Sequence, residues 1–192
     1  MTGFLLAGRS AGCGRPPGPQ HAALGEGETM PSAKGIQIVR TLPSDAPWIE
    51  ALIRTAWGDA LVVVHDTAYR PHALPGFKAL MAGQPVGLLT YHVSRGECEI
   101  VTLNSLVERA GVGTALMDAL VGKFQEENWA RIWLRTTNDN LGALGFSQKR
   151  GFSLVCIDRH AAERARKLKP AIPSIGDHGI PLRDEIELEW VR

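Results

Sequence analysis

The sequence predicts an α/β (α+β) domain in which a mixed, mostly antiparallel sheet of six to seven strands carries helices on both faces. Three observations predict this class. Three strand-like runs follow one another through short turns, two amphipathic helical segments alternate with further strand-like runs, and the element order is β-α-β-β-β-α-β-α-β, an insert and a last β. Short turns force consecutive strands to pair antiparallel. A strand that follows a helical connection is expected to lie parallel to its neighbour.

The first elements are a strand, a helix and an irregular segment. Residues 36–40 alternate apolar and polar side chains, as a half-buried strand does. Ser44 is a suitable N-cap, Pro47 falls in the first turn where proline is tolerated, and Gly58 ends the predicted helix. The apolar face of this helix consists of Ile49, Leu52, Ile53 and Ala56. Residues 61–75 begin with a short apolar run and otherwise predict an irregular segment.

The next elements form the centre of the predicted sheet. Residues 77–82, 86–93 and 97–103 predict three strands, joined by turns at 83–85 and 94–96. A Gly-rich loop leads into a helix with a regular apolar stripe. The stripe consists of Val112, Ala115, Leu116, Ala119, Leu120 and Phe124. The remaining elements are predicted as a strand at 131–136, a helix at 141–150, a strand at 152–157, a basic helix at 161–169 and a last strand at 186–190.

Composition narrows the function classes. The formal net charge of the 192 residues is +1, so nothing favours a nucleic-acid or anionic-membrane partner. No apolar run approaches the ~20 residues that span a bilayer, and a cytoplasmic protein is expected.

Residues 1–34, rich in Gly, Pro and Ala, predict a disordered tail before a domain at 35–192, although an organelle-targeting segment or a start at Met30 are alternatives. Three scattered cysteines predict buried free thiols rather than disulfides or a metal site.

The Gly-rich loop at 107–116 is the most informative stretch of the chain. Gly111 and Gly113 let the backbone approach an anion closely, and the following helix directs its free N–H groups to the same place. A dinucleotide-binding loop would need a third glycine where this chain has Leu116, and a Walker loop would need Gly-Lys-Ser/Thr. The remaining alternatives are an ordinary Gly-rich turn and the diphosphate loop Arg/Gln-x-x-Gly-x-Gly/Ala, in which Glu108 takes the first position.

A second motif lies about 30 residues downstream. Residues 140–152 read Asn-Leu-Gly-Ala-Leu-Gly-Phe-Ser-Gln-Lys-Arg-Gly-Phe. With the loop and the element order, this stretch resembles the GNAT-type N-acetyltransferase family, whose members often read Asn-x-x-Ala-x-x-Phe-Tyr-x-x-x-Gly-Phe there. The resemblance covers residues 36–158 and the last strand, and residues 165–185 resemble an uncharacterised bacterial subgroup. It implies the GNAT fold and acetyl-CoA as acyl donor. No metal is expected, because the cysteines are scattered along the chain.

The resemblance also implies a set of cofactor-binding residues. The diphosphate would lie on the backbone amides after Glu108, and Arg109 would supply the positive charge that Glu108 does not. In the family the fourth strand separates from the fifth, so the pantetheine arm would run along the free edge of the fourth strand. Asn140 would contact CoA or only cap its helix. The implied residues are Val101, Leu103, Ser105, Arg109, Ala110, Gly111, Val112, Gly113, Thr114 and Asn140.

Catalysis by such an enzyme needs a general base, because an alkyl amine is protonated at pH 7. The resemblance places Glu99 in this role, with Glu97 as its neighbour on the same face, and the amide of Leu103 would polarise the thioester carbonyl. The usual acid is a Tyr, and this chain has Ser147 there, whose hydroxyl is far less acidic. Either water or another residue protonates the leaving thiolate, or the activity is weak. Gly142 and Gly145 lower the helix propensity beside this position.

Two functions of different classes follow from the resemblance. The first is an enzyme that transfers an acetyl group to an amine of a small molecule or protein, by direct attack in a ternary complex. The alternative is a non-catalytic acyl-CoA-binding regulatory domain. The basic run of Arg164, Arg166, Lys167 and Lys169 predicts a solvated helix face or, alternatively, the binding surface for an acidic acceptor or the contact of a homodimer.

Overall fold

The computed structural model describes residues 30–31, 35–64 and 67–191. Most of the predicted N-terminal tail, Cys13, and the pair His65 and Asp66 lie outside the described residues. The described residues form ten strands: β1 (Met30–Pro31), β2 (Ile36–Arg40), β3 (Val62–Val64), β4 (Thr67–Tyr69), β5 (Gly76–Met81), β6 (Gln84–Ser94), β7 (Glu97–Ser105), β8 (Ile132–Thr137), β9 (Ser153–Asp158) and β10 (Glu185–Trp190). They also form four α-helices: α1 (Ala46–Trp57), α2 (Val112–Glu127), α3 (Leu141–Gln148) and α4 (Ala161–Leu168).

One sheet organises the domain. Its strand order is β1-β2-β5-β6-β7-β8-β10-β9, and β7 and β8 are its only parallel neighbours among the described strands. The predicted mostly antiparallel sheet is therefore confirmed, with the parallel pair where the helical connection through α2 requires it. The two-residue β1 adds an edge pairing to the seven predicted strands. The last strand, β10, inserts between β8 and β9 and pairs antiparallel with both.

Helices cover both faces of the sheet, as predicted. Neighbouring residues of β6 show the division: Leu89 belongs to the core cluster that contains α2, and Leu88 to the one that contains α1. The predicted stripe of α2 lies in the first cluster, where Leu116, Leu120 and Phe124 are fully buried. The α1 cluster consists of Ile49, Leu52, Ile53, Val62, Leu88 and Val101. Because strand side chains alternate between faces, one strand contributes to both clusters.

Two local predictions were wrong. Ser44 is not the N-cap of α1, because it lies in a 3₁₀ turn at Pro43–Asp45 and the helix begins at Ala46. The carboxylate of Asp45 instead accepts a hydrogen bond from the N–H of Leu42 at 2.8 Å and pairs with Lys78 at 2.6 Å. The segment predicted to be irregular contains the antiparallel hairpin of β3 and β4, which forms a separate two-stranded sheet.

The insert between α4 and β10 is tied to the domain by the basic helix. The Arg166 guanidinium donates to the carbonyl oxygens of Pro173 at 2.6 Å and Leu182 at 2.5 Å. Arg164 pairs with Asp158 at 2.6 Å, at the end of β9. At least these two members of the basic run therefore have local partners. The homodimer contact stays a prediction.

The parallel ladder between β7 and β8 is short. Only two residue pairs form it, Cys98 with Ile132 and Glu99 with Trp133. Beyond Glu99, β8 continues to Thr137 along β10, while β7 continues to Ser105 along β6. In the β6–β7 ladder Thr90 faces Thr102 and Tyr91 faces Ile100, so Val101 is an extra, bulged residue at the point of separation. The two strands thus part in the middle of the sheet.

Two glycines allow a paired test of the packing between β6 and α2. A Cβ added at Gly87 would overlap the Val112 side chain, whereas a Cβ at Gly122, in α2, would meet nothing within 4 Å. We expect Gly87→Ala to lower the free energy of unfolding by about 1–3 kcal/mol, because overpacking forces a shift of α2. Gly122→Ala is expected to raise it by about 1 kcal/mol through helix propensity. Urea unfolding of both variants checks this, and equal effects of the same sign would contradict the packing described.

Candidate functional site

The loop from β7 to α2 presents backbone amides to solvent. Gly111 is the N-cap of α2 and has a φ of 90°, a left-handed conformation that glycine adopts without strain, and Arg109 has a φ of 57°. The Ala115 N–H donates to the Gly111 carbonyl at 3.0 Å and so closes the first helical turn. The amides of Val112, Gly113 and Thr114 precede this bond and have no partner within the helix. The start of α2 can therefore bind an anion.

A cavity of about 470 Å³ opens at this loop. Its lining residues are Leu103, Ser105, Val107, Glu108, Arg109, Gly111, Val112, Gly113, Thr114, Phe146 and Arg150. Seven of the ten predicted cofactor-binding residues are among them, from both the strand and the loop. Val101, Ala110 and Asn140 are not. The structure thus brings the end of β7 and the start of α2 into one cavity.

The free edge of β7 faces the gap that β8 leaves. The Leu106 N–H donates to the Val86 carbonyl at 2.8 Å, so this residue turns its backbone towards β6. Because backbone groups alternate along a strand, Leu103 and Ser105 turn theirs to the opposite edge. The side chain of Val101 is fully buried in the α1 cluster instead of lining the cavity. An extended ligand could pair with the backbone of Leu103 and Ser105.

Phe146 and Arg150 line the cavity but had no predicted role, although both lie in the second sequence motif. The ring of Phe146 lies 3.3 Å from the position of a Cβ at Gly113, so a side chain at this position would press against the ring. The Arg150 guanidinium carbon lies 3.7 Å from the centroid of this ring, and the guanidinium donates to the Thr114 hydroxyl. The signal available in the sequence was the fixed spacing of Phe146 and Arg150 before Gly151-Phe152. Their orientation depends on how α3 packs against α2.

Glu99 is the residue of β7 at which the ladder with β8 ends. Its side chain is buried, one carboxylate oxygen accepts a hydrogen bond from the Tyr69 hydroxyl at 3.3 Å, and the other has no partner among the described residues. Burial raises the pKa of Glu99 to about 7, while the Tyr69 hydrogen bond and the charge of Arg135 act in the opposite direction. Tyr69 comes from the β3–β4 hairpin, and its ring centroid lies 5.3 Å from that of His92. This carboxyl can therefore exchange a proton near neutral pH.

Glu97 differs from Glu99 although both lie on the same face of β7. Its carboxylate pairs with Arg131 at 3.0 Å, and 38% of its side chain is exposed. Arg131 also pairs with Glu187 and Glu189 of β10. Glu97 is thus part of an ion-pair network on the sheet, in contrast to the unpaired oxygen of Glu99.

The buried guanidinium of Arg135 holds the strands on the far side of the gap together. Only 2% of its side chain is exposed, and it pairs with Glu187 at 2.8 Å and Asp158 at 3.4 Å. Glu187 lies opposite Arg135 in the β8–β10 register, and Asp158 ends β9. The pairs tie β8 to β10 and β9, on the side of β8 that faces away from β7.

Ser147 and Asn140 do not line the cavity. The Ser147 side chain is 1% exposed, and its hydroxyl has no partner among the described residues. The Asn140 side-chain carbonyl accepts a hydrogen bond from the Ala143 N–H at 3.0 Å and caps α3. This capping alone accounts for Asn140. Its contact with a cofactor stays a prediction, as does a catalytic role of Ser147.

Comparison with a family model identifies the family of the chain. Residues 43–152 match the model of the Acetyltransferase (GNAT) family. The chain belongs to this family. The uncharacterised protein YxbD of Bacillus subtilis (strain 168) is 39% identical over 154 residues, which cover 80% of this chain and 97% of YxbD. The resemblance predicted from the two motifs is thus confirmed, including its relation to uncharacterised bacterial members.

Solved structures share the same architecture. An IAA acetyltransferase from Bacillus cereus ATCC 14579 superposes with a TM-score of 0.63 at 18% identity, covering 82% of this chain and 99% of that one. A GNAT family acetyltransferase from Elizabethkingia anophelis, crystallised with acetyl-CoA bound, superposes with a TM-score of 0.59 at 17% identity and covers 82% and 99%. At this identity the likeness shows that the fold is the GNAT fold.

Two classes of site receive no support from the described part of the chain. Within residues 30–31, 35–64 and 67–191, no group of three or more His, Cys, Asp and Glu side chains could hold a metal ion. No helix in these ranges is long and apolar enough to cross a membrane. Cys98 is a buried free thiol, as predicted, whereas the free thiol Cys156 is only half-buried.

The pKa of Glu99 predicts a pH-dependent effect on stability. An ordinary glutamate has a pKa of 4.5, so between pH 4.5 and about 7 the folded protein binds more protons than the unfolded chain, and its free energy of unfolding falls as pH rises. Glu99→Gln removes this loss. We expect the stability of the variant relative to wild type to increase by about 1–3 kcal/mol from pH 5 to pH 8. Urea unfolding at both pH values measures it.

Glu97→Gln is the matched control for this experiment, because it makes the same change on the same face of β7 at a more exposed, ion-paired position. It is expected to give no such increase. A relative stability of Glu99→Gln that is the same at both pH values would contradict the buried, protonatable state of Glu99.

Proposed function

We propose that the chain is an acetyl-CoA-dependent N-acetyltransferase that acetylates an amine of a small molecule or protein by direct attack in a ternary complex. The observation that carries the proposal is the cavity in which the free edge of β7 meets the amides of the α2 N-terminus. This arrangement suits a ligand with an anionic diphosphate at one end and an amide-rich arm at the other. Acetyl-CoA has this chemistry, and the Elizabethkingia anophelis relative was crystallised with it.

The diphosphate would bind the loop and first-turn amides from Arg109 to Thr114. These groups carry the positive end of the helix dipole, and Gly111 and Gly113 keep the approach open. The pantetheine arm would pair with the backbone of Leu103 and Ser105. The Leu103 amide would then polarise the thioester carbonyl where negative charge develops in the transition state.

Glu99 is the proposed general base. An alkyl ammonium has a pKa near 10, so the acceptor must lose a proton before its nitrogen attacks the carbonyl. The unpartnered oxygen of Glu99 can accept that proton, directly or through water, and the raised pKa makes the carboxylate a stronger base than an ordinary glutamate. Tyr69 would orient this carboxylate through its hydrogen bond. Collapse of the tetrahedral intermediate would release the CoA thiolate and the acetylated amine.

The CoA thiolate must gain a proton when it leaves. The hydroxyl of Ser147 is buried and is not part of the cavity lining. We therefore propose that water protonates the thiolate. The same observation favours the second candidate function, an acyl-CoA-binding regulatory domain without turnover, because such a domain would need the cavity but no acid.

Thiol release from acetyl-CoA over a panel of amines separates the two functions. An acetyltransferase is expected to release CoA with at least one amine, and Glu99→Gln is expected to lower kcat/KM by about 10²–10⁴-fold because the base is lost. Glu97→Gln, on the same strand face, should leave the rate unchanged. Tight acetyl-CoA binding without release for any amine would contradict the enzyme and favour the binding domain.

The pH profile of the same reaction tests the role of Glu99 more specifically. The rate is expected to rise through pH 7 as the carboxyl ionises. Because the Tyr69 hydrogen bond lowers the pKa of Glu99, Tyr69→Phe should move this rise to higher pH. Measuring kcat/KM from pH 5.5 to 9 checks the shift. An unchanged midpoint in Tyr69→Phe would exclude this carboxyl as the group that controls the rate.

A further inference from the structure

Charged side chains of both signs line the end of the cavity where the diphosphate would bind. Glu108 lines the cavity, and its carboxylate repels an anion bound there. Two cations line the same cavity, Arg109 and Arg150. Arg109 lies in the exposed loop with a left-handed backbone, whereas Arg150 follows α3 and contacts Thr114 in the first turn of α2.

Arg150 has an unusual environment for a guanidinium. It stacks on the Phe146 ring with 3.7 Å between the guanidinium carbon and the ring centroid. One terminal nitrogen donates to the Phe146 carbonyl at 3.3 Å, and the other to the Thr114 hydroxyl. Its Nε is buried and has no partner among the described residues. The stacking and the two donated bonds fix the plane of the guanidinium.

No carboxylate compensates this charge within ion-pair distance among the described residues. The structure gives Arg150 neutral partners, a carbonyl and a hydroxyl, and desolvation lowers its pKa, with Asp118 acting more weakly in the opposite direction. A partly buried cation that lacks an anionic partner is unfavourable unless a ligand supplies one. Thr114, to which Arg150 donates, belongs to the first turn of α2, where the free amides also lie.

We propose that Arg150 is a ligand of the CoA diphosphate and borders the anion site beside Thr114, next to the amides of the α2 N-terminus. This inference rests on the proposed function, since it assigns a further residue to the same cofactor. A planar guanidinium presents several donors at once, which suits phosphate oxygens better than a single amine does. Arg150 also offsets the carboxylate of Glu108, so that the cavity can accept a doubly charged group.

Titration calorimetry with CoA, 3′-dephospho-CoA and S-acetyl-pantetheine tests the assignment. Arg150→Gln is expected to weaken binding of CoA and of 3′-dephospho-CoA by the same factor, about ten- to hundredfold, and to leave the phosphate-free S-acetyl-pantetheine unaffected. Lys149→Gln is the matched control, because it removes the same charge from the adjacent, exposed residue outside the cavity lining. It is expected to leave all three affinities unchanged.

Arg150→Lys is a second variant, which keeps the inference testable if Arg150→Gln does not fold. It keeps the positive charge but loses the forked donors of the guanidinium. It is expected to weaken CoA binding at least threefold with an unchanged thermal midpoint. Equal CoA affinity of Arg150→Gln and wild type would overturn the inference while leaving the proposed function intact. A loss that disappears with 3′-dephospho-CoA would assign Arg150 to the 3′-phosphate, and an equal loss with S-acetyl-pantetheine would show a structural role only. If the wild-type protein binds no CoA, the proposed function itself is wrong.

Discussion

The separation of β7 from β8 after Glu99 is the constraint on which the rest of the site depends. It leaves the backbone of Leu103 and Ser105 without a neighbouring strand on one side, and it opens the cavity towards the start of α2. Unpaired backbone groups inside a domain are costly, so a gap of this kind persists only where something else satisfies or solvates them. An extended ligand that pairs with the free edge would do so. The same separation leaves Glu99 at the end of the ladder, beside Tyr69 of the hairpin.

The gap is maintained from both sides. On one side, the bulge at Val101 turns β7 and buries the Val101 side chain under α1. On the other side, Arg135 ties β8 to β10 and β9 through Glu187 and Asp158. Because β10 inserts between β8 and β9, the three strands on the far side of the gap pair with one another along their lengths. The fold therefore combines a stable sheet with an open edge in its middle.

The fold was largely predictable because it follows from regular patterns. Strand alternation, the α2 stripe and the two spaced motifs identify the sheet, the helices and the family. The features that the sequence did not indicate depend on contacts between residues that are distant in the chain. Nothing in residues 61–75 shows that a hairpin brings Tyr69 to Glu99, since the two are 30 positions apart. The stacking of Arg150 on Phe146 and the inaccessibility of Ser147 likewise depend on how α3 packs, which spacing alone does not determine.

Both the proposed function and the role of Arg150 require acetyl-CoA binding, which titration calorimetry of the purified chain measures. Gly113→Glu places a bulky carboxylate against Phe146 at the anion site, whereas Gly122→Glu makes the same change in α2 at a position with open space around it. We expect saturable binding by wild type and Gly122→Glu, and none by Gly113→Glu. An absence of binding by folded wild-type protein, or equal binding by the Gly113→Glu variant, would contradict this expectation.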